Sequence, residues 1–275
     1  MVRQLEADIL ATPSKGVALV TGAAQGMGKD IALRLASDGY DVAINDLPNK
    51  LELLKEVQSQ IEATGKKSTI LTADISIESK VKEMVESTVS QLGSLEVMVS
   101  NAGICTTKSM LEVDAEEWDR FFAINTRGTF LCYKYAAIQM IHQGRGGRII
   151  GASSIASKRG WEMGSAYSGS KFAVRGLTQS AASELGRYGI TVNTYAPGFI
   201  DTPMLADAAN SVASGADRAV ADKAWAGMAP LNRIGQTADV AGLVSFLASS
   251  ESSFITGQSV SVVYSRRSPL RVIFS

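Results

Sequence analysis

Short apolar or β-branched runs alternate along this chain with longer stretches in which apolar residues return every third or fourth position. The runs fall at residues 17–20, 42–44, 69–71, 95–99, 147–154, 190–195 and 256–263 and read as strands. Between them lie helical patterns: Ile31, Ala32, Leu35 and Ala36; Leu51, Leu54, Val57 and Ile61 within 49–63; Val81, Met84 and Val85, with Ser76 as the expected N-cap. Trp118, Phe121, Phe122, Ile124, Phe130, Leu131 and Tyr135 mark a long amphipathic helix over 114–142, and another begins at residue 236 and runs to 247. Strand and helix in alternation, joined by right-handed crossovers, predict an α/β chain with one doubly wound parallel sheet flanked by helices on both faces. No linker-like break interrupts 15–263, so this span reads as a single domain between a 1–14 extension and a 264–275 tail that is basic and then apolar. Residues 205–230 are rich in Ala, Ser and Asp without a clean period, the pattern of a mobile lid.

Composition narrows the function. The 275 residues carry a formal net charge of +0, which offers no basic field for nucleic acid or an anionic membrane. Cys105 and Cys132 form neither a disulfide framework nor a metal spacing, and His142, the only histidine, reads as a helix-end surface residue. A zinc site and a Ser-His-Asp triad both lack parts, so no metal is expected. Residues 1–15 contain Glu6 and Asp8 and no sustained apolar stretch, hence neither a secretory leader nor a membrane span. A cytoplasmic, reducing location is the expectation.

Two stretches carry chemistry. The strand at 17–20 runs into Thr21-Gly22-Ala23-Ala24-Gln25-Gly26-Met27-Gly28 and then a helix, an arrangement that aims backbone N–H groups and a helix N-terminus at a pyrophosphate. Its glycines follow G-x-x-x-G-x-G, and taken alone such a loop is weak evidence. Asp46, closing the second strand, stands where a ribose hydroxyl would be accepted, although a turn aspartate before Pro48 has the same address. Further on, Tyr167 and Lys171 lie four apart at a helix start and share a face. Bringing a tyrosine from pKa about 10 to near 7 takes roughly 4 kcal/mol. An ammonium at about 4 Å supplies about that much at an effective dielectric of about 20. Such a tyrosine exchanges a proton with a carbonyl or alcohol oxygen. An ordinary half-exposed helix pair has the same spacing, so the pair needs company.

Ser154 supplies it. The pattern Ser154…Tyr167-x-x-x-Lys171, with the glycine loop in the right order before it, resembles the short-chain dehydrogenase/reductase family over roughly 15–263. The resemblance implies a Rossmann-like fold and hydride transfer between a nicotinamide cofactor and a ketone or secondary alcohol. It implies a cofactor site of Gly22, Gln25, Gly26, Met27, Gly28 and Asp46, with Asp74 and Ile75 at the adenine, Lys171 at the nicotinamide ribose and Tyr167 also touching the cofactor. Asn101 and Gly103 would line the cofactor, in a Ser100-Asn101-Ala102-Gly103 segment where the family usually has Asn in place of Ser100. Pro197, Gly198, Ile200 and Thr202 resemble the segment that holds the carboxamide. Asn125 matches the helix asparagine that holds a proton-relaying water, and a buried amide fixing a helix bend is the plain alternative. Ser154 would bond the substrate oxygen, whereas Ser153 reads as a strand-end turn.

Residues 166–204 look like diacetyl/acetoin reductases and 2,3-butanediol dehydrogenases in particular. The expected substrate wall is Ile104, Cys105, Ile155, Trp161, Glu162, Met163, Phe199, Met204, Leu205 and Trp225. It suits a small neutral carbonyl or alcohol as well as a bulkier secondary-metabolite ketone. NAD is the expected cofactor and NADP the alternative, because the Asp46 carboxylate repels a ribose phosphate and Gln25 brings no compensating charge; Lys29 lies within reach of one. The partners expected are a small-molecule substrate and further copies of the chain, as a dimer or tetramer. The competing class is a nucleotide-binding scaffold or redox sensor that has lost its chemistry; it predicts decay at Ser154, Tyr167 or Lys171, and each is present.

Overall fold

Strands β1 (Val17–Thr21), β2 (Asp41–Asp46), β3 (Ser68–Thr72), β4 (Val97–Ser100), β5 (Gly147–Ala152), β6 (Ile190–Ala196) and β7 (Ser259–Ser261) form one sheet. This computed structural model describes residues 14–212 and 218–263. The order is β3-β2-β1-β4-β5-β6-β7, and each neighbouring pair is parallel. β1 and β4 are buried at every residue, which is why their sequences run apolar. β1 pairs β2 on one side and β4 on the other, so the winding reverses there and a crevice opens beyond the carboxyl ends of both strands.

The helices are α1 (Gly26–Ser37), α2 (Leu51–Glu62), α3 (Glu78–Leu92), α4 (Ala115–Phe121), α5 (Thr129–Gln143), α6 (Ser165–Leu185), α7 (Pro203–Val212), α8 (Arg218–Met228) and α9 (Thr237–Ala248). Alternation along β1 sends Ala18 and Val20 into one core with Ile31, Leu54 and Val244, and Leu19 into another with Val81, Leu131 and Met140. Helices thus cover both faces of the sheet.

Several elements differ from the expectation. The α2 stripe is Leu54, Val57 and Ile61, while Leu51 is exposed. Helix α3 starts behind Ile77 without a side-chain cap; Ser76 instead donates its N–H to Asp74 Oδ1 (2.8 Å). Residues 205–230 are largely helical, in α7 and α8, because Leu205, Ala221, Trp225 and Met228 give them an apolar side that packs with Phe199 and Ile234. The last strand keeps three residues of the expected eight, limited by its pairing with 194–196. The long helix begins at Asp114, whose carboxylate caps Glu117 N–H, but between α4 and α5 it widens into a π-helical segment, Phe122–Gly128. His142 is exposed in the last turn of α5. Residues 1–13 of the extension and all of the 264–275 tail lie outside the described residues.

Candidate active site

The turn after β1 is shaped by what it lacks. Gly22 and Gly26 hold φ of +64° and +57°, the left-handed region that side chains disfavour. A Cβ on Gly28 would lie 2.1 Å from the Gly22 carbonyl oxygen and 2.5 Å from Asn101 Nδ2, so only glycine fits. Gln25 precedes α1 without a side-chain cap bond, which leaves the first helical N–H groups for an anion. Asn101 fastens this turn to the sheet: Nδ2 donates to the Thr21 and Gly22 carbonyls (2.9 and 3.1 Å), and Oδ1 accepts from Tyr195 OH (2.8 Å). Ser100, buried beneath, donates to Thr129 Oγ1 (3.4 Å). Asp46 accepts Ala24 N–H (3.1 Å) and Leu47 N–H (2.8 Å), so its carboxylate both faces the crevice and pins the loop. Gly22, Gln25, Gly26, Met27 and Gly28 line one cavity with Asp46, Asp74, Ile75, Asn101, Gly103 and Thr202. A glycine turn with uncapped helix N–H groups, lining one cavity with a carboxylate, fits a dinucleotide.

A second cavity adjoins the first through Met27, Asn101, Gly103 and Thr202 and contains Ser154, Tyr167 and Lys171. Ser154 follows β5, accepts Ala156 N–H (3.1 Å) and lies beside the Tyr167 phenol. Lys171 lies one turn beyond Tyr167, 5.7 Å above the centre of its ring, and donates to the Ala152 carbonyl (2.9 Å). Burial governs both groups. It pushes the Tyr167 phenol well above the ordinary tyrosine value, Cys105 adds to the rise, and the Ser154 hydroxyl opposes it. Burial also pulls Lys171 down to about 8, with Cys105 acting weakly the other way. This corrects the arithmetic of the sequence, which counted the attraction of an ammonium and left out desolvation of the phenolate. Tyr167 is a neutral phenol at pH 7, the form that donates a proton.

Asn125 is fully buried, and its side chain is spent on protein contacts: Oδ1 accepts Ile104 N–H (2.8 Å), and Nδ2 donates to the Ile104 carbonyl and to Ser170 Oγ (both 3.0 Å). Ser170 Oγ in turn donates to the Tyr167 carbonyl (2.7 Å). The π-helical segment therefore brings an amide between the loop after β4 and the helix that bears Tyr167 and Lys171. On the other wall, the Pro197 carbonyl accepts Ile155 N–H (2.9 Å), and Thr202 Oγ1 donates to the Ile200 carbonyl (3.2 Å) and accepts Leu205 N–H (3.3 Å). Pro197, Gly198, Ile200 and Thr202 all line the second cavity.

Of the expected substrate wall, Ile104, Cys105, Trp161, Glu162, Phe199, Met204, Leu205 and Trp225 line that cavity. Ile155 and Met163 lie outside its lining; Met163 instead shapes the loop, at φ +57° with its carbonyl accepting Lys108 N–H (2.9 Å). Two features had no signal in the sequence. The Ser153 hydroxyl, just past the end of β5, is buried in the cavity wall and has no hydrogen-bond partner among the described residues. Four rings also stack in succession: Tyr167 on Trp161 (centroids 5.8 Å, planes 16° apart), Trp161 on Phe199 (6.5 Å, 11°) and Phe199 on Trp225 (5.6 Å, 9°).

A doubly wound parallel sheet with a glycine-turned crevice at its switch point defines a Rossmann-like protein. The comparisons narrow this. The family model described as enoyl-(acyl carrier protein) reductase matches residues 22–263. A short-chain dehydrogenase/reductase of Armillaria gallica is 51% identical over 90% of this chain and 94% of its own. The L-2,3-butanediol dehydrogenase of Corynebacterium glutamicum is 41% identical over 88% and 95%. The crystal structure of levodione reductase superposes with a TM-score of 0.86 at 30% identity, covering 92% of this chain and 97% of its own. The chain belongs to the short-chain dehydrogenase/reductase family, and is an oxidoreductase of the secondary-alcohol and ketone class.

Proposed function

We propose that the protein interconverts a ketone and a secondary alcohol using NAD(H), with Tyr167 as general acid and base. The observation that carries this is a triad gathered in the cavity that adjoins the glycine-turn crevice: Ser154 beside the Tyr167 phenol, with Lys171 above the ring. A nicotinamide dinucleotide, when bound, supplies or accepts the hydride. Ser154 holds the substrate oxygen, and Tyr167 gives it a proton in reduction or takes one in oxidation. Lys171, largely protonated at neutral pH, lowers the cost of the phenolate that forms as the proton leaves. Asn125 acts through position, because its amide holds the Ser170–Tyr167 turn. The glycine turn takes the diphosphate, Asp74 and Ile75 the adenine, and the segment from Pro197 to Thr202 the carboxamide. Tyr167→Phe removes the proton and keeps the ring. Turnover should fall about a thousandfold while dinucleotide affinity, followed by NADH fluorescence, stays within about twofold; full activity in this variant sinks the proposal.

NAD is favoured over NADP by Asp46. A phosphate at about 4 Å from that carboxylate is disfavoured by roughly 4 kcal/mol at an effective dielectric of about 20, before screening and side-chain movement. Lys50 and Arg120 line the same cavity and are the observation on the other side, since either cation would welcome a phosphate. Asp46→Asn keeps an oxygen for Ala24 N–H and removes the charge. It should move the ratio of kcat/KM for NADH over NADPH toward NADPH by about 10- to 100-fold; wild-type enzyme preferring NADPH would overturn the assignment.

The same reading includes self-association in the cytoplasm. Phe130, Ile138, Ile141 and Phe172 are exposed on α5 and α6, the helices through which we propose a second copy docks. No described helix is long and apolar enough to cross a membrane.

A further inference from the structure

We infer that the substrate is a neutral, flat, ring-bearing ketone or secondary alcohol, held by stacking against Trp161 and Phe199; this rests on the ketone and alcohol reading above. The rings of the stack come from separate places. Tyr167 belongs to α6, Trp161 to the loop before it, Phe199 to the segment after β6 and Trp225 to α8. No local backbone pattern forces such segments to present successive planes within 16° of each other. The chain also makes room for the arrangement. A Cβ on Gly164 would lie 1.7 Å from Trp161 Nε1, so the indole rests on bare backbone, and Met163 beside it holds φ +57°.

Burial separates the roles of the rings. Trp225 is 4% exposed and backs Phe199, whereas Trp161 and Phe199 are only partly covered and line the cavity. These two rings also have the widest spacing in the stack. A planar guest gains dispersion contact along the uncovered parts of both, which a short acyclic ketone offers little surface to match. Because Trp161 stacks on Tyr167 itself, a ring lying along it brings a carbonyl substituent toward the phenol and Ser154. Ile104, Met204 and Leu205 complete an apolar wall. The exposed carboxylate of Glu162 at the cavity disfavours an anionic substrate.

The test separates recognition from chemistry. Tyr167→Phe enzyme saturated with NAD(H) is titrated by calorimetry with 1-tetralone, a flat bicyclic ketone, and with 2-decanone, an acyclic ketone of equal carbon number. Tetralone should bind at least about tenfold tighter, and Trp161→Leu or Phe199→Leu in the same background should reduce that preference to about twofold or less. Equal binding of the two ketones, or a preference unchanged in both leucine variants, overturns the inference. Two variants guard against one failing to fold. Wild-type enzyme turning over both ketones with equal kcat/KM leaves hydride transfer standing and defeats ring selection. The stated binding preference with no turnover by wild-type enzyme supports ring selection and defeats the hydride-transfer reading.

Discussion

Around the glycine turn, side chains are spent on the protein itself: Asn101 on Thr21, Gly22 and Tyr195, and Asp46 on Ala24 and Leu47. Across the cavity, Trp161 and Phe199 stack on other rings, and the buried Ser153 hydroxyl has no partner among the described residues. The first region is backbone braced by hydrogen bonds and tolerates almost no added atom. The second is a set of apolar surfaces whose arrangement selects a guest. A braced region suits a ligand held in one fixed pose, and a stacked one suits recognition by the shape of a guest.

The sharpest way to break that contrast is a pair of glycine substitutions. Gly28→Ala drives a Cβ against a carbonyl and an amide that are both held in place, so stability should fall by about 3 kcal/mol in urea unfolding and dinucleotide affinity by more than about 100-fold. Gly164→Ala instead meets an indole that can swing aside. Its dinucleotide affinity should be unchanged, with KM for ring substrates raised about tenfold. Equal losses of dinucleotide affinity in the two variants would erase the distinction between the regions.

A smaller effect tests the brace itself. Tyr195→Phe takes from the half-buried Asn101 Oδ1 the donor that the buried Tyr195 supplies and should cost about 1–2 kcal/mol of stability, with weaker dinucleotide binding. A change confined to stability, with binding intact, would show that the brace does not shape the turn.

The smallest effect concerns pH. Lys171 is depressed to about 8 in the folded protein from an ordinary 10.5. Below pH 8 both folded and unfolded chains hold the proton, and the folded state bears the full cost of a buried ammonium. Between about 8 and 10.5 the unfolded chain binds more protons, so this group makes stability rise with pH, by at most about 1.4 kcal/mol per unit. Cys105, raised to about 11 from 9.0, works the other way above pH 9, which leaves pH 8–9 as the clearest window. Stability of wild-type minus Lys171→Met should therefore climb across that window; a flat difference would mean that Lys171 is not desolvated as described.

What the sequence by itself determined is what lies along one dimension. The strand runs, the helical repeats, the glycine spacing and the order of Ser154, Tyr167 and Lys171 are set by local geometry, because a strand buried on both faces must be apolar and a turn with positive φ must use glycine. The helices of 205–230 escaped the sequence because their apolar side is narrow and is defined by contact with Phe199 and Ile234. The tertiary structure alone decided the rest. Residues 122–128 become π-helical around an Asn125 amide anchored to Ile104 and Ser170, contacts 21 and 45 residues away. Tyr167 shifts in pKa opposite to the spacing argument, and Lys171 falls, because burial is a property of everything packed around them. The parallel rings of Trp161, Phe199 and Trp225 meet only when a loop, a strand end and a helix converge on one crevice, and no periodicity in the chain records that convergence.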